Sequence, residues 1–89
     1  MNAKRRKALA AIITKLEELE SLRQEIRERL EEVMEGEQEA LDNMPESLQE
    51  SERGQQMQEY IDTMDSVNDD LDCIELDDLA DKLREIVEV

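Results

Sequence analysis

The sequence has no histidine, phenylalanine or tryptophan, and among its 89 residues there are one cysteine, one proline and two glycines. Without histidine the chain lacks both the usual proton carrier near neutral pH and the commonest metal ligand, which excludes conventional catalytic triads and zinc sites. Its single cysteine, Cys73, cannot form an intramolecular disulfide, so nothing indicates an oxidising compartment. We therefore expect a protein that is not an enzyme and binds no cofactor or metal.

Long apolar runs are also absent. The basic residues 4–7 precede an apolar run at residues 8–13, which imitates a signal peptide, but the run has only six residues before Lys15 interrupts it. Such a run is too short to support secretion or a membrane span. The sequence therefore predicts a soluble, cytoplasmic protein with no membrane partner, located in the host cytoplasm if its origin is viral.

Charge is what the chain has in abundance: 42% of its residues are charged, and 26 acidic against 11 basic side chains give a net charge of −15. High charge with few helix-breaking residues is typical of long solvated helices, and the lack of aromatic residues argues against a β-sandwich or barrel. A chain of this length forms one small domain, residues 1–89, with a marginal core of its own. We therefore expect a homo-oligomer, most simply a homodimer.

Apart from Arg23 and Glu37, residues 9–40 carry apolar side chains at alternating spacings of three and four, which is the pattern of a heptad seam. The pattern predicts a helix over about residues 4–42 and a left-handed supercoil with at least one partner helix. We expect a second copy to pair along this seam, whose members are Leu9, Ile12, Leu16, Leu19, Ile26, Leu30 and Val33.

The lone proline, Pro45, predicts that the first helix ends near Asn43 and that a turn occupies residues 43–50. A second helix is expected over about residues 51–72, with Ser47 or Ser51 as its N-cap. Asn68 lies beside the apolar stripe of this helix. It is either an edge residue or a buried polar residue that fixes the helix register.

The apolar face changes sides near Asp72, and Asp72 with Glu75 resembles a capping box. We therefore expect a break there and a short helix over about residues 76–87. The alternative is one straight helix with partners on two faces. The predicted fold is all-α: an antiparallel helical hairpin with a short third helix, packed as a coiled coil or bundle.

The segment EALDNMPESLQESERG, residues 39–54, resembles a segment of small uncharacterised helical proteins of phages and prophages. The resemblance covers about residues 20–72. It implies a viral or mobile-element origin, and it transfers no activity and no catalytic residue.

The acidic charge is concentrated in the second half of the chain. Residues 1–35 hold eight basic and eight acidic side chains, whereas residues 36–89 hold three basic and eighteen acidic ones. Twelve carboxylates in residues 59–88 correspond to about one per 4 Å of helix, close to the ~3.4 Å spacing of phosphates along one nucleic-acid strand. These carboxylates either stand in for phosphates or only keep the chain soluble. The residues expected to bind a partner are Asp62, Asp65, Asp69, Asp70, Asp72, Asp78, Asp81 and Glu85.

Other charged clusters carry weaker signals. Residues 68–72 lack the glycine of a calcium loop. The basic residues 4–7 are not expected to bind nucleic acid directly in so acidic a chain. In an antiparallel hairpin we expect them to pair with Glu85 and Glu88, and we expect Arg23 and Arg27 to lie near Asp69 and Asp65.

Two functions follow from these patterns. The leading one is a non-enzymatic phage-type protein whose acidic helix binds a basic, nucleic-acid-handling host protein, such as a defence nuclease, and inhibits or modulates it by nucleic-acid mimicry. The alternative is a structural coiled-coil module for assembly or tethering, in which the apolar seams provide recognition and the acidic residues provide solubility.

Overall fold

The computed structural model describes residues 1–88, and within them it contains four α-helices and no strand. The helices are α1 (Ala3–Asp42), α2 (Glu46–Gln49), α3 (Glu52–Asp72) and α4 (Leu76–Val87). The predicted all-α hairpin with a short final helix is confirmed. The chain divides into two compact units: unit 1 comprises Met1–Glu25 with the chain from Ile74 onward, and unit 2 comprises Ile26–Cys73.

Helix α1 turns one face inward with a strict seven-residue repeat. We label the heptad positions a to g so that the less exposed residues fall at a and d. Position a holds Arg6, Ile13, Glu20, Arg27, Met34 and Leu41, and position d holds Leu9, Leu16, Arg23, Leu30 and Glu37; all are buried or half-buried. This alternating spacing of three and four is that of knobs-into-holes packing. Several of these inward positions are charged.

The turn between α1 and α3 contains the single-turn helix α2, which the sequence pattern did not indicate. Pro45 precedes it with an extended backbone, and its carbonyl accepts hydrogen bonds from the Leu48 and Gln49 amides at 2.8 and 3.0 Å. The Gln49 side chain donates to the Met44 carbonyl at 2.8 Å. These bonds satisfy backbone groups that a looser loop would leave to water.

Helix α3 begins where Ser51 caps it, as one of the two predicted N-caps: the Ser51 hydroxyl accepts from the Gly54 amide at 3.4 Å. Gly54 is buried against the preceding turn, and a Cβ built there would lie 2.2 Å from the Gln49 carbonyl oxygen. Only glycine fits at this contact. Positions a and d of α3 hold Gly54, Met57, Ile61, Met64, Asn68 and Leu71.

Residues 73–75 separate α3 from α4, as the change of apolar face predicts. The expected capping box is wrong, because Asp72 is the last residue of α3 and the N-cap of α4 is Glu75, which makes no side-chain capping bond. In unit 1, α4 buries Leu76 and Ala80. The Arg84 guanidinium of α4 pairs with Glu17 of α1.

None of the helices in residues 1–88 combines the length and the hydrophobicity needed to cross a bilayer.

Candidate functional site

Two hydrogen bonds fix how α1 and α3 meet in unit 2. Arg27 Nε donates to Asn68 Oδ1 at 3.1 Å, and Asn68 Nδ2 donates to Glu31 Oε1 at 3.4 Å. Of the two alternatives for Asn68, an edge residue or a buried polar residue, the structure shows the second, because Asn68 is buried. Since the helices are antiparallel and face each other through a and d, the e positions of both helices lie on one side of the hairpin and the g positions on the other.

The e side of unit 2 carries exposed carboxylates from both helices, which we call the acidic face. They occupy positions b and e and are Glu28, Glu31, Glu35 and Asp42 of α1 with Asp62, Asp65, Asp69 and Asp72 of α3. The other b and e positions of unit 2 hold only glutamines, Gln38, Gln55 and Gln58. No lysine or arginine occupies this side at those positions.

One cation reaches the acidic face from the helix interface. The half-buried Arg27 places Nη1 2.8 Å from Asp72 Oδ1. Asp62 accepts from the Gln58 amide at 3.0 Å, and within residues 1–88 Asp65 and Asp69 take part in no ion pair. The surface therefore keeps most of its negative charge.

Within unit 2, Arg27 does not pair with Asp65, the residue expected near it. Arg23 donates from Nε to Glu20 on its own helix at 2.9 Å. Arg27 is occupied by Asn68 and Asp72. The aspartates Asp62, Asp65, Asp69 and Asp72 of α3 all remain exposed.

The remaining carboxylates predicted to bind a partner are Asp70 of unit 2 and three residues of unit 1. Asp70 is exposed at position c of α3, on the side of the g positions. In unit 1, Asp78 lies 3.7 Å from Lys82 and Asp81 lies 2.6 Å from Arg84. Glu85 is exposed. Within unit 2 the structure thus groups Asp62, Asp65, Asp69 and Asp72 on one side and places Asp70 on the other.

The carboxylates of α1 are the part of the acidic face that the sequence analysis missed. Glu28, Glu35 and Asp42 recur every seven residues, and this repeat is the signal that could have revealed them. Basic residues elsewhere on α1 balance these carboxylates in any count by chain segment, so the acidic side of this helix is evident only when residues are grouped by heptad position.

The g positions of unit 2 are mostly apolar, with Arg53 at the start of α3 as the charged exception. We call Ile26, Val33, Tyr60 and Val67 the apolar flank; their exposed fractions are 51%, 58%, 52% and 46%. Tyr60 also lines an open cavity of about 560 Å³, together with Glu37, Thr63 and Met64.

The residues of the predicted oligomer seam fall into two groups. Leu9, Leu16 and Leu30 occupy position d and are half-buried within the chain. Ile12, Leu19, Ile26 and Val33 occupy position g and are exposed. Unit 1 repeats this arrangement on α4, where Leu79 and Ile86 are exposed.

A polar cluster is buried in unit 1. Glu20 is 8% exposed and accepts from Arg23 and from the Gln24 amide, the latter at 3.1 Å. The hydrogen bond from Arg23 lowers the pKa of Glu20 below its usual value, against the opposing effect of burial. Hydrogen bonds to Asp81 and Glu17 raise the pKa of Arg84. Both effects favour the charged forms of these pairs.

The basic residues 4–7 do not form the expected pairs with Glu85 and Glu88, since they make no ion pair within residues 1–88. Arg6 has its Nε buried without a hydrogen-bond partner. Cys73 is exposed at the end of α3. Within residues 1–88, no group of three or more histidine, cysteine, aspartate or glutamate side chains is placed to hold a metal ion.

The candidate site is thus a two-sided helical surface, with the acidic face on one side of unit 2 and the apolar flank on the other. Its residues lie on α1 and α3, whose register is fixed by the contact between Arg27 and Asn68. In comparisons with known proteins, no family model, no curated protein and no solved structure matches this chain.

Proposed function

We propose that this chain is a non-enzymatic, phage-type protein whose acidic face binds a basic, nucleic-acid-handling protein of a host cell, such as a defence nuclease, and inhibits or modulates it by mimicking nucleic acid. The observation that carries the proposal is the grouping of exposed carboxylates from two helices on one side of unit 2, with no lysine or arginine at the same positions. If the carboxylates served only solubility, we would expect acidic and basic residues to be mixed on all exposed sides of unit 2.

The dimensions of the acidic face support mimicry. From Asp62 to Asp72 the helix rises about 15 Å at ~1.5 Å per residue, so its four carboxylates are about 5 Å apart. A second row on α1 runs beside it, at the ~8–10 Å separation of packed helices. Phosphates follow each other every ~3.4 Å along one strand, so a basic groove would meet a comparable density of negative charge.

The mechanism is competition for the basic groove. Lysine and arginine side chains that normally contact phosphates would make charge-assisted hydrogen bonds to the carboxylates. Because α1 and α3 hold these groups on folded helices, little conformational entropy is lost on binding. The net charge of −15 would also accelerate encounter with a basic protein at low salt.

The test begins with capture of partners from host lysate, with and without nuclease treatment, at about 50 and 200 mM salt. The captured protein is then assayed for binding and for inhibition. A variant with Asp62, Asp65, Asp69 and Asp72 changed to asparagine should lose at least tenfold in affinity while its far-ultraviolet circular dichroism is unchanged.

A matched control removes the same number of charges from the outward f positions, where all four residues are exposed: Glu32, Glu39, Glu52 and Glu59 changed to glutamine. This control should retain affinity within about threefold, since its acidic face is intact. Equal loss in both variants would show that only net charge matters, and unchanged inhibition in the aspartate variant would reject mimicry.

A second candidate function, a structural module for assembly or tethering, is favoured by the exposed apolar residues at the g positions. It predicts binding that is insensitive to salt. Leu19→Asp and Val33→Asp test it more cleanly than changes at Leu16 or Leu30, because the latter two are half-buried within the chain and their replacement would also weaken the fold.

A further inference from the structure

The apolar flank of unit 2 has no partner within its own hairpin. Its four members lie outside the a and d rows that join α1 to α3, and each exposes close to half or more of its surface. We infer that a second copy of this chain covers this flank, with the two flanks packed against each other to form a four-helix arrangement. The inference concerns the g side and does not depend on the proposed role of the acidic face.

The chain as a whole exposes more surface than a compact monomer of its mass. It exposes 6860 Å² for a mass of 10.4 kDa, whereas folded monomers of this mass expose about 5400 Å². The difference of roughly 1500 Å² is summed over the whole chain, and a high ratio of exposed surface to mass is what a chain that buries part of its surface against a second copy would show.

The core inside one chain is correspondingly small. The buried apolar side chains of unit 2 are Leu41 and Ile61, and the inward rows also hold Arg27 and Asn68. Covering the apolar flank would add Ile26, Val33, Tyr60 and Val67 to the buried surface.

The pattern of the flank matches a second copy better than an unrelated protein. Ile26 and Val33 are seven residues apart, as are Tyr60 and Val67, so the flank has the same period as the seam inside the hairpin. Two copies of the flank therefore have the same supercoil and can pack along their length. In a dimer with two-fold symmetry the same surface of each copy forms the interface, so the flank has to be complementary only to itself.

Charge also favours this arrangement. Each copy carries −15, so two copies repel unless their contact avoids the carboxylates. The acidic face lies on the e side, and joining the g sides turns both acidic faces outward. A strongly basic partner would be drawn to the other side of the hairpin, which leaves the apolar flank to the second copy.

Sedimentation velocity and iodide quenching of Tyr60, the sole aromatic residue, test the inference on the intact chain. With rising concentration the mass should increase from 10.4 kDa to twice that value. Quenching should fall in parallel, because Tyr60 becomes covered. Higher salt should strengthen association by screening repulsion.

The decisive variants are neighbours on α3. Val67→Glu places a charge on the apolar flank, and Ser66→Glu places the same charge at the exposed f position beside it. Val67→Glu should raise the dissociation constant of the dimer at least tenfold and restore quenching of Tyr60, whereas Ser66→Glu should change the dissociation constant by less than about threefold.

Val33→Glu on α1 provides a second variant and should act like Val67→Glu, with helicity checked by circular dichroism. A chain that stays monomeric with Tyr60 fully quenchable up to high concentration overturns the inference and leaves the flank to a different protein. Dimers that persist unchanged in both Val33→Glu and Val67→Glu overturn it as well, because another surface must then join the copies.

Discussion

Arg27 of α1 donates a hydrogen bond from Nε to Oδ1 of Asn68 of α3 at 3.1 Å, although both residues occupy inward a positions where a coiled coil usually places apolar side chains. Asn68 also donates to Glu31, and Arg27 also pairs with Asp72. Sliding α3 by one heptad would place Ile61 opposite Arg27 and leave the guanidinium without its acceptor. The contact therefore selects one register for the hairpin.

A double-mutant cycle should reveal this coupling. Asn68→Leu alone should lower the free energy of unfolding by about 1–3 kcal/mol, because Arg27 loses a buried acceptor. Replacing both Arg27 and Asn68 by leucine should recover stability to within about 1 kcal/mol of the parent or exceed it, as paired removal of buried polar groups often does. Urea unfolding followed by circular dichroism measures both changes.

Ser66→Leu serves as the control in this cycle, since Ser66 is exposed on the outward side of the same helix. It should change stability by less than about 0.5 kcal/mol. Strictly additive effects of the Arg27 and Asn68 replacements would contradict a specific interaction between them.

The two glycines should respond in opposite ways to alanine. Gly54→Ala should lower the free energy of unfolding by about 1–3 kcal/mol or more, because the new Cβ meets the Gln49 carbonyl at 2.2 Å. Gly36→Ala should raise it by about 0.5–1 kcal/mol, because nothing lies within 4 Å of a Cβ there and alanine favours the helix. Thermal unfolding at a concentration below that of self-association measures both, and equal effects would contradict the tight contact at Gly54.

The stability contributed by Glu20 should depend on pH. Because its bond from Arg23 lowers the folded-state pKa, ionised Glu20 stabilises the fold above its unfolded pKa, and this contribution is lost as the pH falls through the folded pKa. The difference in free energy of unfolding between the parent and Glu20→Gln should therefore be largest near neutral pH and shrink below about pH 4. Urea unfolding at a series of pH values measures it.

Glu32→Gln is the matched control for this experiment, because Glu32 is exposed at an outward f position of the same helix. Comparison with it removes the general effect of neutralising carboxylates in so acidic a chain. A difference between the parent and Glu20→Gln that is constant from neutral to acid pH would show that the ionised form of Glu20 is not favoured by folding.

The helices were predictable because their signals are local. The period of the apolar residues, Pro45 and the change of face near Asp72 predicted the long helix, the bend and the short last helix. The single-turn helix α2 was not predicted, because four residues give no periodicity. The requirement for Gly54 was also missed, since it arises from the approach of Gln49 in space.

The choice of inward row could not be read from hydrophobicity alone. The apolar pattern favoured rows d and g of α1, whereas the structure turns rows a and d inward and leaves Ile12, Leu19, Ile26 and Val33 exposed. Row a was hidden because it includes Glu20 and Arg27, whose burial depends on partners that only the folded chain supplies. Of the acidic face of unit 2, the sequence indicated the aspartates of α3 but not the carboxylates of α1. The α1 carboxylates share a face only once the inward row of that helix is known.

The polar residues inside unit 2 also favour α3 over foreign helices as the partner of α1. Cells contain many leucine-rich amphipathic helices that compete for apolar helix surfaces such as that of α1. Such a helix would offer Arg27 no hydrogen-bond acceptor, so the charge of Arg27 would lie against apolar side chains. Helix α3 instead supplies Asn68 as the acceptor. A hairpin with a purely aliphatic interior would lack this discrimination. The polar residues of unit 2 therefore make the pairing of α1 with α3 specific, at the expense of a larger apolar core.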